Sequence, residues 1–335
     1  MGLLIDGTWQ EQGRDPVRDA ASGGRFERAA SAFRNWVTPD GRPGPTGHDG
    51  FAAAAGRYHL YVSLACPWAH RTLIMRALKG LEQIIPVSVT HWLMGDQGWT
   101  FAQGEGVIPD PLFNSRYVHE LYTRADPGYT GRASVPVLWD RHTQTIVNNE
   151  SSEIIRMFNR GFDAVGAKPG DYSPREQRPE IDAVNERVYE TLNNGVYKAG
   201  FATTQTAYEE AVTPLFDTLD WLEERLGQSR YVVGDTLTEA DIRLFTTLVR
   251  FDSVYHGHFK CNVRRIVDYP NLWAYTRDIY QVPGVAATVS FLHIKRHYYM
   301  SHRQINPTGI VPVGPALDFD APPERGMGVD KLIVF

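Results

Sequence analysis

The run YHLYVSLACPWAHRTLIMRALKGL, from Tyr58 to Leu81, limits what this chain can fold into more than any other segment. Tyr58 to Leu64 is apolar and β-prone, and it leads directly into Cys66 and Pro67. Beyond the proline, Leu73, Ile74, Ala77, Leu78 and Leu81 recur at the three-to-four spacing of an amphipathic helix. Pro67 suits the first helical position, where its missing N–H costs nothing. Cys66 is then the N-cap, with its sulfur facing free backbone N–H groups and the positive end of the helix dipole. That setting lowers a thiol pKa from roughly 8.5 towards or below neutrality.

A lone cysteine is usually a small core hydrophobe. The strand–Cys–Pro–helix context argues for a reactive thiolate here. The pattern is Cys-Pro-Trp-Ala, so no second thiol stands nearby to resolve a disulfide. A single thiolate needs an external thiol to complete a redox cycle, which points to glutathione. Cys261, the other cysteine, reads as a structural thiol.

Composition narrows the classes. A chain of 335 residues holds about two domains on the usual length relation. Net charge is −5 with both signs interspersed and no basic stripe, which disfavours nucleic acid as a partner. Two cysteines in such a length fit a reducing compartment. The start MGLLIDGTWQ has no charged region before an apolar core, and Asp6 stands where a myristoylation signal needs Ser or Thr. No apolar run reaches membrane-spanning length, so no membrane partner is expected and a cytoplasmic protein is.

Residues 1–57 read as an N-terminal extension, with the Gly/Pro/Ala-rich stretch from Pro39 to Gly56 as a surface loop or partly mobile segment. A strand near 58–63, a helix near 67–80 and a strand near 84–90 follow. A long aromatic insertion with little periodicity comes next, and loops of that length commonly cover a site. SVPVLWD and TIVNNES then form a hairpin, followed by the helix SSEIIRMFN. This is the element order of a thioredoxin-like domain, placed at 58–165. In that fold the bond at Val135-Pro136 is typically cis and presents the preceding backbone to a peptide-like ligand. The helix after Asn148-Asn149-Glu150 offers Ser151 at its N-terminus to a carboxylate.

From 166 to 303 the pattern is all helical. Ile181, Val184, Val188, Leu192 and Val196 mark one buried stripe, with Asn194-Gly195 as a kink or stop. Leu215, Leu219, Leu222 and Leu226 mark the next. LTEADIRLF carries a capping box, Thr238 with Asp241 at N3, whose role is folding and not chemistry. Residues 304–335 are Pro/Gly-rich and read as a C-terminal extension.

A thioredoxin-like domain followed by an all-helical domain with that box (fold class α/β plus all-α) is the glutathione transferase arrangement. YVSLACPWAHRT, SVPVLWD, NNES, LTEADIRLF, RFDSVY, HFKCN, DYPNLWAYTRDIYQVPG and SHRQINPTGI resemble the glutathionyl-hydroquinone reductases, the xi-class glutathione transferases, over about residues 57 to 311. CPWA alone is shared with omega-class relatives, whereas RFDSVY with INPTGI is much more specific.

The resemblance implies reduction of glutathionyl-hydroquinones through a Cys66–glutathione disulfide, with glutathione as co-substrate, no metal, and a homodimer. Tyr197 matches the tyrosine regarded as proton donor or acceptor. Tyr255 and Tyr298 match tyrosines thought to lower the cysteine pKa, although Tyr299 competes for the second role. Trp99 matches a residue that packs on glutathione. Arg132, Ala133, Ser134 and Val135 match the segment gripping its backbone and a terminal carboxylate, with Ala133-Ser134 departing from an expected Val-Thr. Glu150 and Ser151 match the pair on its γ-glutamyl end. His293 and His297, spaced i, i+4, lack a third ligand in register, so metal is not expected. Two other functions share this fold: omega-like thioltransfer or dehydroascorbate reduction, and a non-catalytic transferase-like binding module.

Overall fold

The computed structural model describes residues 2–11 and 22–325. They group into two compact units, one of residues 2–11, 29–169 and 288–301, the other of 22–28, 170–287 and 302–325.

The first unit opens with a hairpin, β1 (Leu3–Ile5) against β2 (Thr8–Gln10). Next, β3 (Trp36–Thr38) pairs in parallel with β4 (Gly50–Ala52). The central sheet follows: β5 (Tyr58–Val62), α1 (Pro67–Leu78), β6 (Val87–Val89), α2 (His119–Ala125), β7 (Val137–Asp140), β8 (Thr145–Asn148) and α3 (Ser151–Arg160). Its strand order is β6-β5-β7-β8, with β5 parallel to β6 and antiparallel to β7. β5 is buried at every position, as a strand covered on both faces is, and its one charged-type residue, His59, is matched inside by Ser88 Oγ at 2.8 Å.

Helix α1 begins at Pro67 as expected but stops at Leu78, two residues short of the expected end. Gly80 takes φ +61° just beyond, the left-handed geometry that commonly ends a helix. α1 packs against α3, α3 against β3, and α2 against β8.

The described residues of the stretch expected as an extension carry regular structure. Arg34 pairs with Glu153 and bridges β8 at Asn148, and the Trp36 indole N–H donates to Thr46 Oγ1 at 2.7 Å. Leu4 is fully buried. Gly50 is needed in β4 because a Cβ there would stand 2.2 Å from the Arg42 backbone carbon.

The second unit is helical: α4 (Arg178–Val188), α5 (Gly195–Phe201), α6 (Gln205–Leu226), α7 (Glu239–Arg250) and α8 (Pro270–Tyr280). Both expected apolar stripes are buried. A π-helical turn, Tyr189–Asn193, separates α4 from α5 at the predicted kink, and a second, Phe251–Tyr255, follows α7. Single π turns of this kind are frequent at functional sites. The last helix, α9 (Phe291–Ser301), groups with the first unit. Among the described residues no helix is long and apolar enough to cross a membrane.

Candidate active site

Cys66 is the N-cap of α1, with extended backbone at φ −75° and ψ 120°, and its carbonyl accepts from His70 N at 3.0 Å. Its side chain is half-buried, whereas Cys261 is fully buried and burial pushes that thiol well above its usual range. The two cysteines therefore divide into one accessible and one sealed. The Val135-Pro136 bond is cis, and the Val135 carbonyl oxygen lies 3.5 Å from Cys66 Sγ as its hydrogen-bond acceptor. Residues 69 positions apart thus place the thiol beside the backbone expected to hold a peptide-like ligand.

Glu150 caps α3, and Ser151 is the first helical residue. Burial works to raise the Glu150 carboxyl, but its hydrogen bonds and the Arg71 charge outweigh burial and hold it below the usual carboxylate range. The bonds come from Ser152 N (3.1 Å), Ser152 Oγ (2.9 Å) and Ser31 Oγ (3.0 Å). Arg71 is buried on α1, with its guanidinium over the Trp68 ring and one nitrogen 3.4 Å from Ser151 Oγ. This end of α3 therefore gathers an anion, a buried cation and a helix N-terminus.

Arg132, Ala133 and Ser134 are partly exposed and Val135 is buried. Trp99 is 7% exposed and stacks on His297 of α9 at 4.7 Å, while His297 meets the buried Tyr298 edge-on. Tyr298, not Tyr299, is the fully buried member of that pair. The two histidines considered for metal have other work: His293 Nε2 lies 2.7 Å from the Glu105 carbonyl oxygen, and His297 Nδ1 lies 2.8 Å from that of Trp92.

Tyr197 and Tyr255 belong to the second unit and meet there, with ring centroids 6.1 Å apart. Tyr255 lies in the π turn after α7 and stacks on Phe259 at 5.6 Å. Tyr197 sits on α5, edge-on to Phe259, with Phe26 stacked against it and the Arg28 guanidinium 5.0 Å above its ring. Arg28 is also anchored to Asn194 Oδ1 at 3.0 Å. Gly200 permits this nest, since a Cβ there would strike the Phe259 ring at 2.2 Å.

Sequence reasoning missed Ser31, Phe26 and Arg28, because the first 57 residues show no periodicity to place them. It also missed Arg71, four residues past the proline, and His297, which it weighed only as a metal ligand.

Two family descriptions match the chain: glutathione S-transferase N-terminal domain over residues 65–160, and glutathione S-transferase C-terminal domain over 205–278. The glutathionyl-hydroquinone reductase YqjG of Escherichia coli strain K12 is 59% identical over 97% of this chain and 98% of its own. Its glutathione-bound structure superposes with a TM-score of 0.89, covering 97% of this chain and 99% of that one. The glutathionyl-hydroquinone reductase PcpF of Sphingobium chlorophenolicum is 59% identical over 94% of this chain and 97% of its own. A xi-class glutathione transferase structure from Natrialba magadii, 49% identical, has a TM-score of 0.90 over 97% of each chain. A cysteine at a strand-to-helix N-cap beside a cis-proline segment, followed by a helical unit with a capping box, is carried here by a chain that belongs to the glutathione transferase family, in its xi-class glutathionyl-hydroquinone reductase branch.

Proposed function

We propose that this protein reduces glutathionyl-hydroquinones to hydroquinones with glutathione as co-substrate. The observation that carries the reading is the partly buried Cys66 at the start of α1, its sulfur 3.5 Å from the Val135 carbonyl oxygen.

The glutathione moiety fits the first unit by charge. It carries two carboxylates and one ammonium, and paired hydrogen bonds to charged groups are the strong ones. Glu150 takes the ammonium of the γ-glutamyl end, and the α3 N-terminus at Ser151 takes its carboxylate. Arg132 holds the carboxylate at the other end. The backbone from Ala133 to Val135 aligns the middle, and Trp99, braced by His297, packs on the tripeptide.

The Cys66 thiolate attacks the glutathione sulfur. A sulfur–sulfur bond forms, the aryl carbon–sulfur bond breaks, and its electron pair stays on the aryl carbon. Tyr197 protonates that carbon and the hydroquinone leaves. A second glutathione thiolate then attacks the mixed disulfide, releasing oxidised glutathione and restoring the Cys66 thiolate. The resemblance assigns Tyr255 and Tyr298 the part of favouring the anionic sulfur, which a phenol that donates a hydrogen bond to a thiolate does. The protein works in a reducing, cytoplasmic setting and as a homodimer, the latter checked by a light-scattering mass of twice the chain mass.

The test is turnover of a panel of glutathionyl-hydroquinones. Hydroquinone and oxidised glutathione should appear in equal amounts, and mass spectrometry should find one glutathione on Cys66. Faster turnover of dehydroascorbate than of every conjugate would reassign the activity.

Glu150 gives a prediction with a definite sign. Its folded-state pKa is lowered, so its anionic contribution is complete above the ordinary carboxylate value and is lost only as pH falls below it. Glu150→Gln should therefore weaken glutathione affinity by about tenfold at every pH between roughly 5 and 8, with no change in the shape of the profile. Titration calorimetry across that range checks this. A defect that vanishes at pH 5 would show that Glu150 is not held anionic.

A further inference from the structure

We infer that Tyr122 is a positioning residue: its single hydroxyl ties the segment before Val135 to the segment before Glu150 and so sets the span between the two ends of the glutathione site. The inference rests on the reading of that site given above.

Tyr122 lies on α2 and is fully buried. Its hydroxyl donates to the Ser134 carbonyl oxygen at 2.9 Å, and accepts from Ser134 N at 3.1 Å and from Asn149 Nδ2 at 3.0 Å. A phenol has one donor and two acceptor positions, so these three bonds fill them, and Ser134 Oγ stands at a further contact of 3.4 Å. The hydroxyl therefore has nothing left to offer a ligand, and burial pushes it up and keeps it neutral. One partner, Ser134, lies within the segment assigned to glutathione and directly precedes Val135, and the other, Asn149, directly precedes Glu150.

The ring is held separately from the hydroxyl. It packs edge-on to Phe33 at 5.8 Å and against Tyr129 at 5.1 Å. Asn149 is fixed from its other side, accepting from Phe33 N through Oδ1 at 3.1 Å and donating its own N–H to the Phe33 carbonyl at 3.1 Å. Tyr122→Phe thus preserves the packing and removes only the tie. Ser134 N–H and the Asn149 amide then lose a buried partner, and each segment shifts to find another. A ligand that bridges both segments loses pre-organised contacts, while Pro67 still fixes the start of α1 and leaves Cys66 at its N-cap.

The experiment is glutathione binding by titration calorimetry on a Cys66→Ser background, with steady-state kinetics on the Cys66 protein. Tyr122→Phe should weaken glutathione binding by about tenfold and raise the KM for glutathione in proportion, with kcat within about twofold. Asn149→Ala cuts one arm of the same tie and should act in the same direction. It also carries the test if Tyr122→Phe does not fold. The double variant should bind no more weakly than the worse single variant, because both remove one coupling. A lowered melting temperature with unchanged KM, or strictly additive losses, would overturn the inference. Glu150→Gln separates the two readings. If it weakens binding while Tyr122→Phe does not, only the positioning role falls. If neither variant changes glutathione affinity, the assigned site itself is wrong.

Discussion

Cys66→Ser should lower turnover of a glutathionyl-hydroquinone by roughly a thousandfold or more, because a hydroxyl at this N-cap cannot supply the nucleophile that a thiolate does. Serine is itself a favoured N-cap, so the variant should keep or slightly gain helix stability. Its melting temperature should match the parent within error, and circular dichroism should be unchanged. Incubation with substrate alone, without free glutathione, should leave one glutathione on the parent protein and none on the variant. The parent should also release a single equivalent of hydroquinone and then stop, since no second thiol stands within the Cys-Pro-Trp-Ala run to clear the disulfide. A serine variant that retains a tenth of the activity would place the chemistry elsewhere. Cys261 is no substitute: it is sealed in the core and its thiol is pushed up by burial.

What the sequence made legible is what local physics writes locally. Pro67 fixes a helix start, which makes Cys66 an N-cap without reference to any other residue. The stripe Ile181, Val184, Val188, Leu192 and Val196 carries its period within one stretch, and Asn194-Gly195 marks where the helical path is interrupted. Long-range pairing left no such mark. β3 and β4 pair in parallel across a Gly/Pro-rich stretch that reads as loop, because the register is held by Thr46 and by Arg34 with Glu153, contacts more than a hundred residues apart in the second case. Ser31 reaches Glu150 across 119 positions, and the Tyr122 hydroxyl serves residues 12 and 27 positions away. Period and spacing cannot announce such bonds. The tyrosines show the same limit: nothing in RFDSVY says that Tyr255 occupies a π turn stacked on Phe259.

Asp241→Ala should be the most destabilising single change outside the site, with no effect on the KM of the molecules that remain folded. The carboxylate is fully buried. Its Oδ1 accepts from Val232 N and the Tyr275 hydroxyl, each at 2.9 Å, and its Oδ2 accepts from Thr238 N at 2.8 Å and Thr238 Oγ1 at 3.0 Å. Alanine leaves four buried donors without an acceptor. A buried donor stripped of its partner costs about 1–3 kcal/mol, and relaxation recovers part of the sum, so a loss of about 4 kcal/mol is expected. For a chain of this size that lowers the melting temperature by about 6 °C. Thr238→Ala removes one of the four donors, the cap hydroxyl itself, and should cost only about 1 kcal/mol. The double variant should be little worse than Asp241→Ala alone, because the Thr238 hydroxyl has no carboxylate to lose. Asp241→Asn should fall between, since its oxygen can keep one pair of donors while its amide opposes the other. Urea unfolding followed by fluorescence measures all four. Equal losses for Thr238→Ala and Asp241→Ala would mean that the box is a helix cap alone, and that the ties from Asp241 to Val232 and Tyr275 carry no weight in joining α7 to α8 and to the loop before it.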